Sequence, residues 1–140
     1  MSQFKFSVGP WNVHPGADSY GPATRADIPA EEKYKKFAEL GFSAVQFHDD
    51  DAVPNINDYT EEEIREKARE LKKTLDKYNL KAEFVAPRLW MDEHTQDGGF
   101  MSTSKEDREY AMWRAYRSID IANELGTDMI VLWLAREGTL

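Results

Sequence analysis

The sequence predicts an α/β protein in which four parallel strands alternate with three helices. The first observation behind this prediction is the regular alternation of strand-like and helix-like patterns along the chain. The second is the string Glu-Leu-Gly, which occurs at 39–41 and again at 124–126 and is followed each time by an apolar run. The third is that the segments between the apolar runs are long enough for helical crossovers, which parallel strands require.

Four segments have the composition of strands: 4–9, 43–48, 80–86 and 129–134. The first alternates apolar and polar residues with the period of two that is typical of a strand. The second contains Val45 and Phe47, which favour strands, and it stops abruptly at His48. The fourth is the most continuously apolar of the set and ends near Trp133.

Three segments are predicted helices: 29–40, 61–78 and 105–125. Pro29 suits a first helical turn, Thr60 and Glu63 form a capping box, and Gly41 and Gly126 stand where helices commonly end. The resulting β-α-β-α-β-α-β order over residues 1–140 corresponds, as a single unit, to the first half of a (β/α)8 barrel. Because an open parallel sheet needs cover on its faces and edges, we expect the chain to self-associate.

The charge and composition exclude several classes of function. The net charge is −8, from 18 basic and 26 acidic residues, so the chain is a poor candidate for binding nucleic acid or an anionic membrane. It contains no cysteine and therefore no disulfide framework or thiolate zinc site. No apolar run approaches transmembrane length, and the first residues lack the core of a signal peptide. We expect a cytoplasmic protein whose partner is a small molecule.

The most informative residues are His48 and the three aspartates that follow it. In α/β proteins, sites are built at the carboxyl ends of strands, which is where this histidine falls. An imidazole held by Asp51 would have a fixed tautomer, as acid–base chemistry on a hydroxyl group requires. The alternative is a solvated acidic turn in which His48 merely ends the strand. A metal site at 49–51 is disfavoured, since successive residues on an extended backbone point in alternating directions.

Three of the four tryptophans fall at or just beyond predicted strand ends: Trp11, Trp90 and Trp133. In an α/β fold these positions converge on one mouth, where flat aromatic faces could hold the carbon side of a sugar. The alternative for each of them is ordinary core packing, which is also the expectation for Trp113 in mid-helix. Glu137 could be catalytic, although an acid beside Arg136 is more often a structural pair. The string 92–94, Asp-Glu-His, is expected to be a solvated loop.

At these residues the chain resembles the N-terminal half of a xylose isomerase, a metal-dependent aldose–ketose isomerase of the TIM-barrel type. The similar pieces occur in the family's order and at nearly its spacing. They are Val8-Gly9-Pro10-Trp11, Tyr20-Gly21-Pro22-Ala23-Thr24-Arg25, Ala38-Glu39-Leu40-Gly41, Phe47-His48-Asp49-Asp50-Asp51 with Pro54, Asp97-Gly98-Gly99-Phe100, and Trp133 with Arg136-Glu137-Gly138.

The resemblance implies a role for individual residues. His48 corresponds to the histidine that contacts the ring oxygen of the sugar and assists ring opening, and Asp51 to the aspartate that orients it. Trp11 and Trp133 correspond to tryptophans that flank the substrate, while Trp90 stands where the family usually has phenylalanine. Tyr20 falls where a phenylalanine reaches into the neighbouring subunit's site, which implies a homo-oligomer. The segment 85–88, Val-Ala-Pro-Arg, departs from the small polar residues common there, including a threonine.

The resemblance also implies two divalent cations, Mg2+ or Mn2+, held by side chains of the later strands. Those positions do not occur in these 140 residues, so the expected set of metal ligands here is none. The expected function is the substrate-pocket half of an enzyme that interconverts D-xylose and D-xylulose, with this chain inactive on its own. Two alternatives are another TIM-barrel sugar isomerase or epimerase, and a non-catalytic half-barrel that self-associates as a scaffold.

Overall fold

A three-stranded parallel sheet forms the centre of the computed structural model, which describes residues 4–14, 16, 24–134 and 136–138. Its strands are β1 (Ser7–Val8), β2 (Ala44–His48) and β3 (Lys81–Ala86), hydrogen-bonded in that order. β1 pairs with β2 through Ser7 opposite Ala44, and β2 with β3 through Phe47 opposite Val85. The α/β class and the parallel pairing predicted from the sequence are therefore confirmed.

Helices connect the strands and cover one face of the sheet. They are α1 (Ala30–Glu39), α2 (Asp49–Ala52), α3 (Glu61–Lys77) and α4 (Lys105–Leu125). Short 3-10 turns occur at Pro10–Asn12, Ile56–Asp58 and Glu93–Thr95. The three long helices occupy 30–39, 61–77 and 105–125, where the sequence predicts 29–40, 61–78 and 105–125. None of the helices in the described part of the chain is long and apolar enough to cross a membrane.

The ends of the long helices follow from their capping residues. The Thr60 hydroxyl accepts a hydrogen bond from the Glu63 backbone N–H at 3.4 Å, and Glu63 Oε2 accepts one from the Thr60 N–H at 2.8 Å. Ser104 caps α4 by accepting from the Asp107 N–H at 3.3 Å. α4 ends at Gly126, whose φ of 77° lies in the left-handed region that favours glycine.

The apolar core lies between the helices and the face of the sheet that carries Val45 and Phe47. α1, α3 and α4 each contribute side chains to it, and α3 and α4 pack side by side. Two ion pairs join the outer surfaces of α3 and α4, from Arg65 to Asp120 at 3.0 Å and from Arg69 to Glu124 at 2.9 Å. The core includes Tyr34, Phe37, Val45, Phe47, Ile64, Leu75, Leu80, Val85, Ile121 and Leu125.

A bulge between β2 and β3 changes which side chains share the second face of the sheet. Val45 is opposite Ala82 and Phe47 is opposite Val85, so two residues of β3 stand against Gln46 alone. Glu83 Oε2 accepts a hydrogen bond from Gln46 Nε2 at 2.8 Å, and Ser7 of β1 joins the same polar row. The bulge therefore turns both Glu83 and Phe84 toward the face that carries Gln46.

The predicted outer strands are much shorter in the structure. The segment 129–134 forms one parallel bridge between Ile130 and Val85 rather than a strand, and the predicted strand 4–9 is reduced to Ser7–Val8. Each segment lies at an edge of the sheet that the described residues form, where no neighbouring strand pairs with its outer side. Leu132, Trp133 and Leu134 are each about half exposed, at 51%, 53% and 57%. The prediction of a full fourth strand at 129–134 is wrong in extent, although the direction of pairing is parallel.

Candidate functional site

The site begins where β2 passes into α2. His48 is the last residue of the strand, and the three aspartates form the first turn of the short helix. Carboxylates are favourable at a helix N-terminus, where backbone N–H groups are unpaired. The sequence-based picture of three aspartates on an extended backbone is therefore wrong. The helical turn separates their side chains: Asp49 pairs with Arg114, whereas Asp50 and Asp51 both contact Arg88.

Asp49 points into the protein and is fully buried with Arg114 of α4. Arg114 Nε lies 2.5 Å from Asp49 Oδ2, and its Nη2 lies 2.6 Å from Oδ1. The backbone N–H of Arg88 also donates to Asp49, at 3.1 Å. Burial lowers the pKa of Arg114, but the hydrogen bonds and charge of Asp49 outweigh it, so that the pKa is raised overall. This bidentate pair ties the end of β2 to α4.

Asp50 and Asp51 are both held by Arg88, which follows β3. Arg88 Nε lies 2.7 and 2.8 Å from the two carboxylate oxygens of Asp50, and Arg88 Nη2 lies 3.2 Å from Asp51 Oδ2. These side chains are only partly exposed, between 20% and 33%. The ends of two adjacent strands are thus joined by charge-assisted contacts.

His48 lies between two indole rings and against Asp51. Its Nδ1 is 2.8 Å from Asp51 Oδ2, and its backbone N–H donates to the same oxygen at 3.2 Å. The ring centroids of His48 and Trp11 are 4.5 Å apart, and Trp90 meets His48 edge-on at 5.3 Å. Within the part of the chain that the structure describes, Nε2 has no hydrogen-bond partner, which leaves it available to a ligand.

These side chains line one cavity of about 300 Å3 at the carboxyl end of the sheet. The wall contains three of the residues expected there, Trp11, Trp90 and Trp133, together with His48. Gln46 and Phe84 complete it. Asp51 stands behind His48, and Tyr20, expected at an intersubunit site, lies outside the described residues. The cavity is apolar on most of its surface and offers its polar groups at His48 and Gln46.

Sequence reasoning did not single out Gln46, Phe84 or Arg88. Gln46 could have been found, because residues two apart on a strand share a face with each other and His48 was already placed there. Phe84 lines the cavity because the bulge turns its side chain toward that face of the sheet, and no local sequence pattern predicts the bulge. In the sequence, Arg88 is recognisable only as part of a segment that departs from the xylose isomerase pattern, which indicates no role for it.

Two other acidic motifs are structural. Glu137 accepts hydrogen bonds from three successive backbone N–H groups, those of Gly99 at 3.0 Å, Phe100 at 2.6 Å and Met101 at 2.8 Å. A Cβ atom at Gly99 would lie 3.2 Å from the Glu137 carboxylate and 3.1 Å from Ala111. Glycine therefore allows the close approach, and Glu137 fastens the end of segment 129–138 to the loop before α4.

The string at 92–94 is an ordered turn rather than a solvated loop. Asp92 accepts from the Tyr110 hydroxyl at 2.8 Å and from the Asn57 amide at 3.1 Å. His94 Nδ1 lies 3.1 Å from Asp107, and the hydrogen bond to Asp107 raises the pKa of His94. Trp113 packs against the core, as its position in mid-helix predicts.

No metal site is formed by the residues that the structure describes. Among them, no group of three or more histidine, aspartate or glutamate side chains is placed to hold an ion. The three aspartates at 49–51, which look like ligands in the sequence, are occupied by arginines. The side chains present therefore do not fit a divalent cation.

A parallel sheet with crossover helices and a pocket at its carboxyl end is the arrangement found in (β/α)8-barrel proteins, and this chain contains part of such a barrel. The family model described as xylose isomerase-like TIM barrel matches residues 34–138. The chain belongs to this family.

Solved structures with the same fold are distant in sequence. They include an AP endonuclease, family 2, from Brucella melitensis (TM-score 0.53, 16% identity, 90% of this chain and 39% of that chain covered). A second is the probable 3-DHS dehydratase AsbF from Bacillus anthracis, involved in petrobactin synthesis (TM-score 0.57, 13% identity, 93% of this chain and 38% of that chain covered). A third is a D-psicose 3-epimerase determined in the presence of D-fructose (TM-score 0.53, 15% identity, 76% of this chain and 32% of that chain covered). The chain spans less than two fifths of the length of each, and these likenesses show the fold.

Proposed function

We propose that this chain supplies the substrate pocket of an aldose–ketose isomerase acting on a sugar such as D-xylose. The observation that supports this most directly is the cavity in which His48 contacts both Trp11 and Trp90 and whose lining includes Trp133. Indole faces suit the carbon face of a sugar, and a histidine with a free Nε2 suits a hydroxyl or ring oxygen. A charge of −8 argues against a nucleic acid substrate.

In this proposal His48 carries out the acid–base chemistry of ring opening. Asp51 is a positioning residue, since it contacts Nδ1 at 2.8 Å and leaves Nε2 for the substrate. The indoles exclude water on both sides of the imidazole, which strengthens its polar contact with a bound sugar. Gln46 offers an amide at the same cavity for a second hydroxyl group.

The resemblance to xylose isomerases implies two divalent cations, but the described residues do not fit them. Residues beyond this chain would have to hold such ions, and we derive no step through them here. The chain covers 39% or less of the length of these solved structures, and in this proposal it supplies the sugar-binding part of the activity. We therefore expect these 140 residues to bind a sugar without converting it.

Titration of the chain with D-xylose, followed by tryptophan fluorescence and by NMR, tests the proposal. Trp113→Phe is the matched control, because Trp113 lies on α4 and packs against the core. We expect this variant to keep the affinity of the unaltered chain, and Trp90→Ala and His48→Ala to lower it several-fold. No D-xylulose should form. Absence of binding by every aldose and ketose tried, or turnover by this chain alone, would contradict the proposal.

The same titration, repeated with other sugars, distinguishes a xylose isomerase-like substrate preference from that of another sugar isomerase or epimerase. The segment 85–88 departs from the xylose isomerase pattern, and Trp90 is bulkier than the phenylalanine usual there. One of the similar folds is an epimerase by name. Stronger binding of a ketose such as D-fructose or D-psicose than of D-xylose would therefore favour another sugar isomerase or epimerase.

A second candidate is a non-catalytic half-barrel that self-associates. It is favoured by the apolar side chains left exposed at the edges of the sheet: Phe4, Phe6, Leu132, Trp133 and Leu134. We expect light scattering at rising concentration to show dimers or larger species, and a constant monomer mass would contradict this. If the chain is only a scaffold, His48→Ala will leave sugar binding and association unchanged.

A further inference from the structure

One nitrogen of His48 has two partners of opposite hydrogen-bonding character. Nδ1 lies 2.8 Å from Asp51 Oδ2 and 3.0 Å from Arg88 Nη2. The two partners are themselves 3.2 Å apart. A histidine, a carboxylate and a guanidinium thus form a small triangle behind the tryptophan-lined cavity.

The two contacts at Nδ1 cannot be hydrogen bonds in the same neutral state of the ring. An ionised carboxylate only accepts hydrogen bonds, whereas a guanidinium only donates them. When Nδ1 carries the proton it can donate to Asp51, and when Nδ1 is bare it can accept from Arg88. Each geometry is already present without movement of the backbone.

Neither state leaves a charged partner without a bond. When Arg88 is not bonded to the ring, its Nε still donates to Asp50, at 2.7 and 2.8 Å from the two oxygens. When Asp51 is not bonded to the ring, its Oδ2 still accepts from the His48 backbone N–H at 3.2 Å. The difference in free energy between the two states is thereby reduced, because no unpaired charge is created in either.

We infer that Arg88 is a positioning residue that allows His48 to exist in both neutral tautomers. In one, the proton is on Nδ1 and Nε2 is an acceptor toward the cavity; in the other, the proton is on Nε2, which becomes a donor. Interconversion moves one proton between the nitrogens of the ring and changes no net charge. Without Arg88, Nδ1 faces only an acceptor and the first tautomer is fixed.

The surroundings hold Arg88 in place for this role. Its backbone N–H donates to the fully buried Asp49 at 3.1 Å, and its guanidinium lies 5.7 Å from the centre of the Trp90 ring. The charged groups that face the His48 ring are Asp51 and Arg88, with Asp50 on the far side of the guanidinium; Trp11 and Trp90 are neutral. The planar fork of arginine reaches both carboxylates at once, which the single ammonium of lysine cannot do.

The two tautomers of His48 are useful for ring opening only if the chain binds a sugar, so this part of the inference rests on the proposed function. Ring opening needs a proton accepted from a hydroxyl group and a proton donated to the ring oxygen. In the tautomer with bare Nε2, this nitrogen accepts the proton of the anomeric hydroxyl, and the imidazolium formed beside Asp51 returns that proton to the ring oxygen as the ring bond breaks. In the other tautomer, Nε2–H donates a hydrogen bond that holds the ring oxygen of the bound sugar, a contact that a fixed first tautomer does not offer at neutral charge.

Ring 15N NMR of the unliganded 140-residue chain tests the inference, since the sequence contains only three histidines. At a pH where the imidazoles are neutral, the nitrogen shifts of His48 report the tautomer. We expect averaged shifts between the two limits. Arg88→Met should move them to the limit with the proton on Nδ1, and Asp51→Ala to the opposite limit, with the proton on Nε2.

Arg69→Met is the matched control, because it removes an arginine from the outer surface of α3 and α4 and should leave the His48 shifts unchanged. The His94 signal, from a ring bonded to Asp107, reports whether each variant is folded. His48 shifts at either limit in the unaltered chain, or no response to Arg88→Met, would overturn the inference. Because no ligand is present, failure of sugar binding and failure of the tautomer inference are distinguishable.

Discussion

His48 and Trp133 stand at equivalent places in the sequence, yet the structure treats them very differently. Each follows a Glu-Leu-Gly string and an apolar run, and each lines the same cavity. His48 is 8% exposed, whereas Trp133 is 53% exposed. The same local sequence pattern thus produces an organised wall of the pocket at one place and an open wall at the other.

The difference follows from the number of neighbours. β2 pairs with β1 on one side and β3 on the other, and the aspartates beyond it are held by Arg88 and Arg114. The segment 129–134 meets β3 through one bridge. Beyond that bridge, the Glu137 carboxylate binds the backbone N–H groups of the loop at 99–101.

The pocket therefore has two parts, which differ in how firmly the chain holds them. Trp11, His48 and Trp90 are fixed by contacts within the chain, while Trp133 depends on a weakly paired segment. Asp49→Asn disrupts the organised part, and Glu137→Gln disrupts the open part.

The largest effect is expected from Asp49→Asn, which breaks the buried pair with Arg114. Asp49 is 0% and Arg114 4% exposed, so the substitution leaves a buried guanidinium without its counter-charge. Loss of one partner of a buried pair costs about 3–5 kcal/mol. We expect the free energy of unfolding, measured by urea denaturation with circular dichroism, to fall by an amount in this range.

A matched control for this prediction is Asp76→Asn, which breaks the exposed pair with Lys72 on α3. An exposed pair of this kind contributes at most about 1 kcal/mol. Equal losses for the two variants would show that Asp49 is not buried in solution. The double variant Asp49→Leu with Arg114→Leu should lose less than Asp49→Asn, because no unpaired charge remains.

Much of the fold and part of the site follow from the sequence. Helix signals at Thr60 and Gly126 are local, and the carboxyl ends of parallel strands share an edge, which is why His48 and the tryptophans could be predicted to meet. The extent of a strand is not local, since it depends on its neighbours, and so the segment 129–134 was predicted too long.

The short helix α2 and the partners of the three aspartates could not be predicted from the sequence. α2 is four residues long, too short for a helical periodicity. The partners of Asp49, Asp50 and Asp51 come from Arg88 and Arg114, which are far away along the chain. A pattern of three aspartates therefore suggests ligands or a solvated turn, although the structure uses them to join β2 to β3 and α4.

A smaller and local effect is expected from Glu137→Gln, which tests the open part of the pocket. The glutamine amide keeps one acceptor but replaces the other oxygen with a donor group that faces a backbone N–H. The loss of charge-assisted bonds costs about 1.5–3 kcal/mol. We expect hydrogen exchange at Gly99, Phe100 and Met101 to become roughly tenfold faster or more, since about 1.4 kcal/mol corresponds to a factor of ten.

The organised side of the pocket should not respond to this change. Amides of β2 should keep their exchange rates in Glu137→Gln, because Asp49 and Arg88 hold that region independently. Glu109→Gln, on an exposed pair with Lys105, should alter neither region. If Glu137→Gln accelerates exchange in β2 as much as at 99–101, the two walls unfold together and the division of the pocket is wrong. If it accelerates exchange only at 99–101, the wall that carries Trp133 can be opened while the wall that carries His48 stays closed.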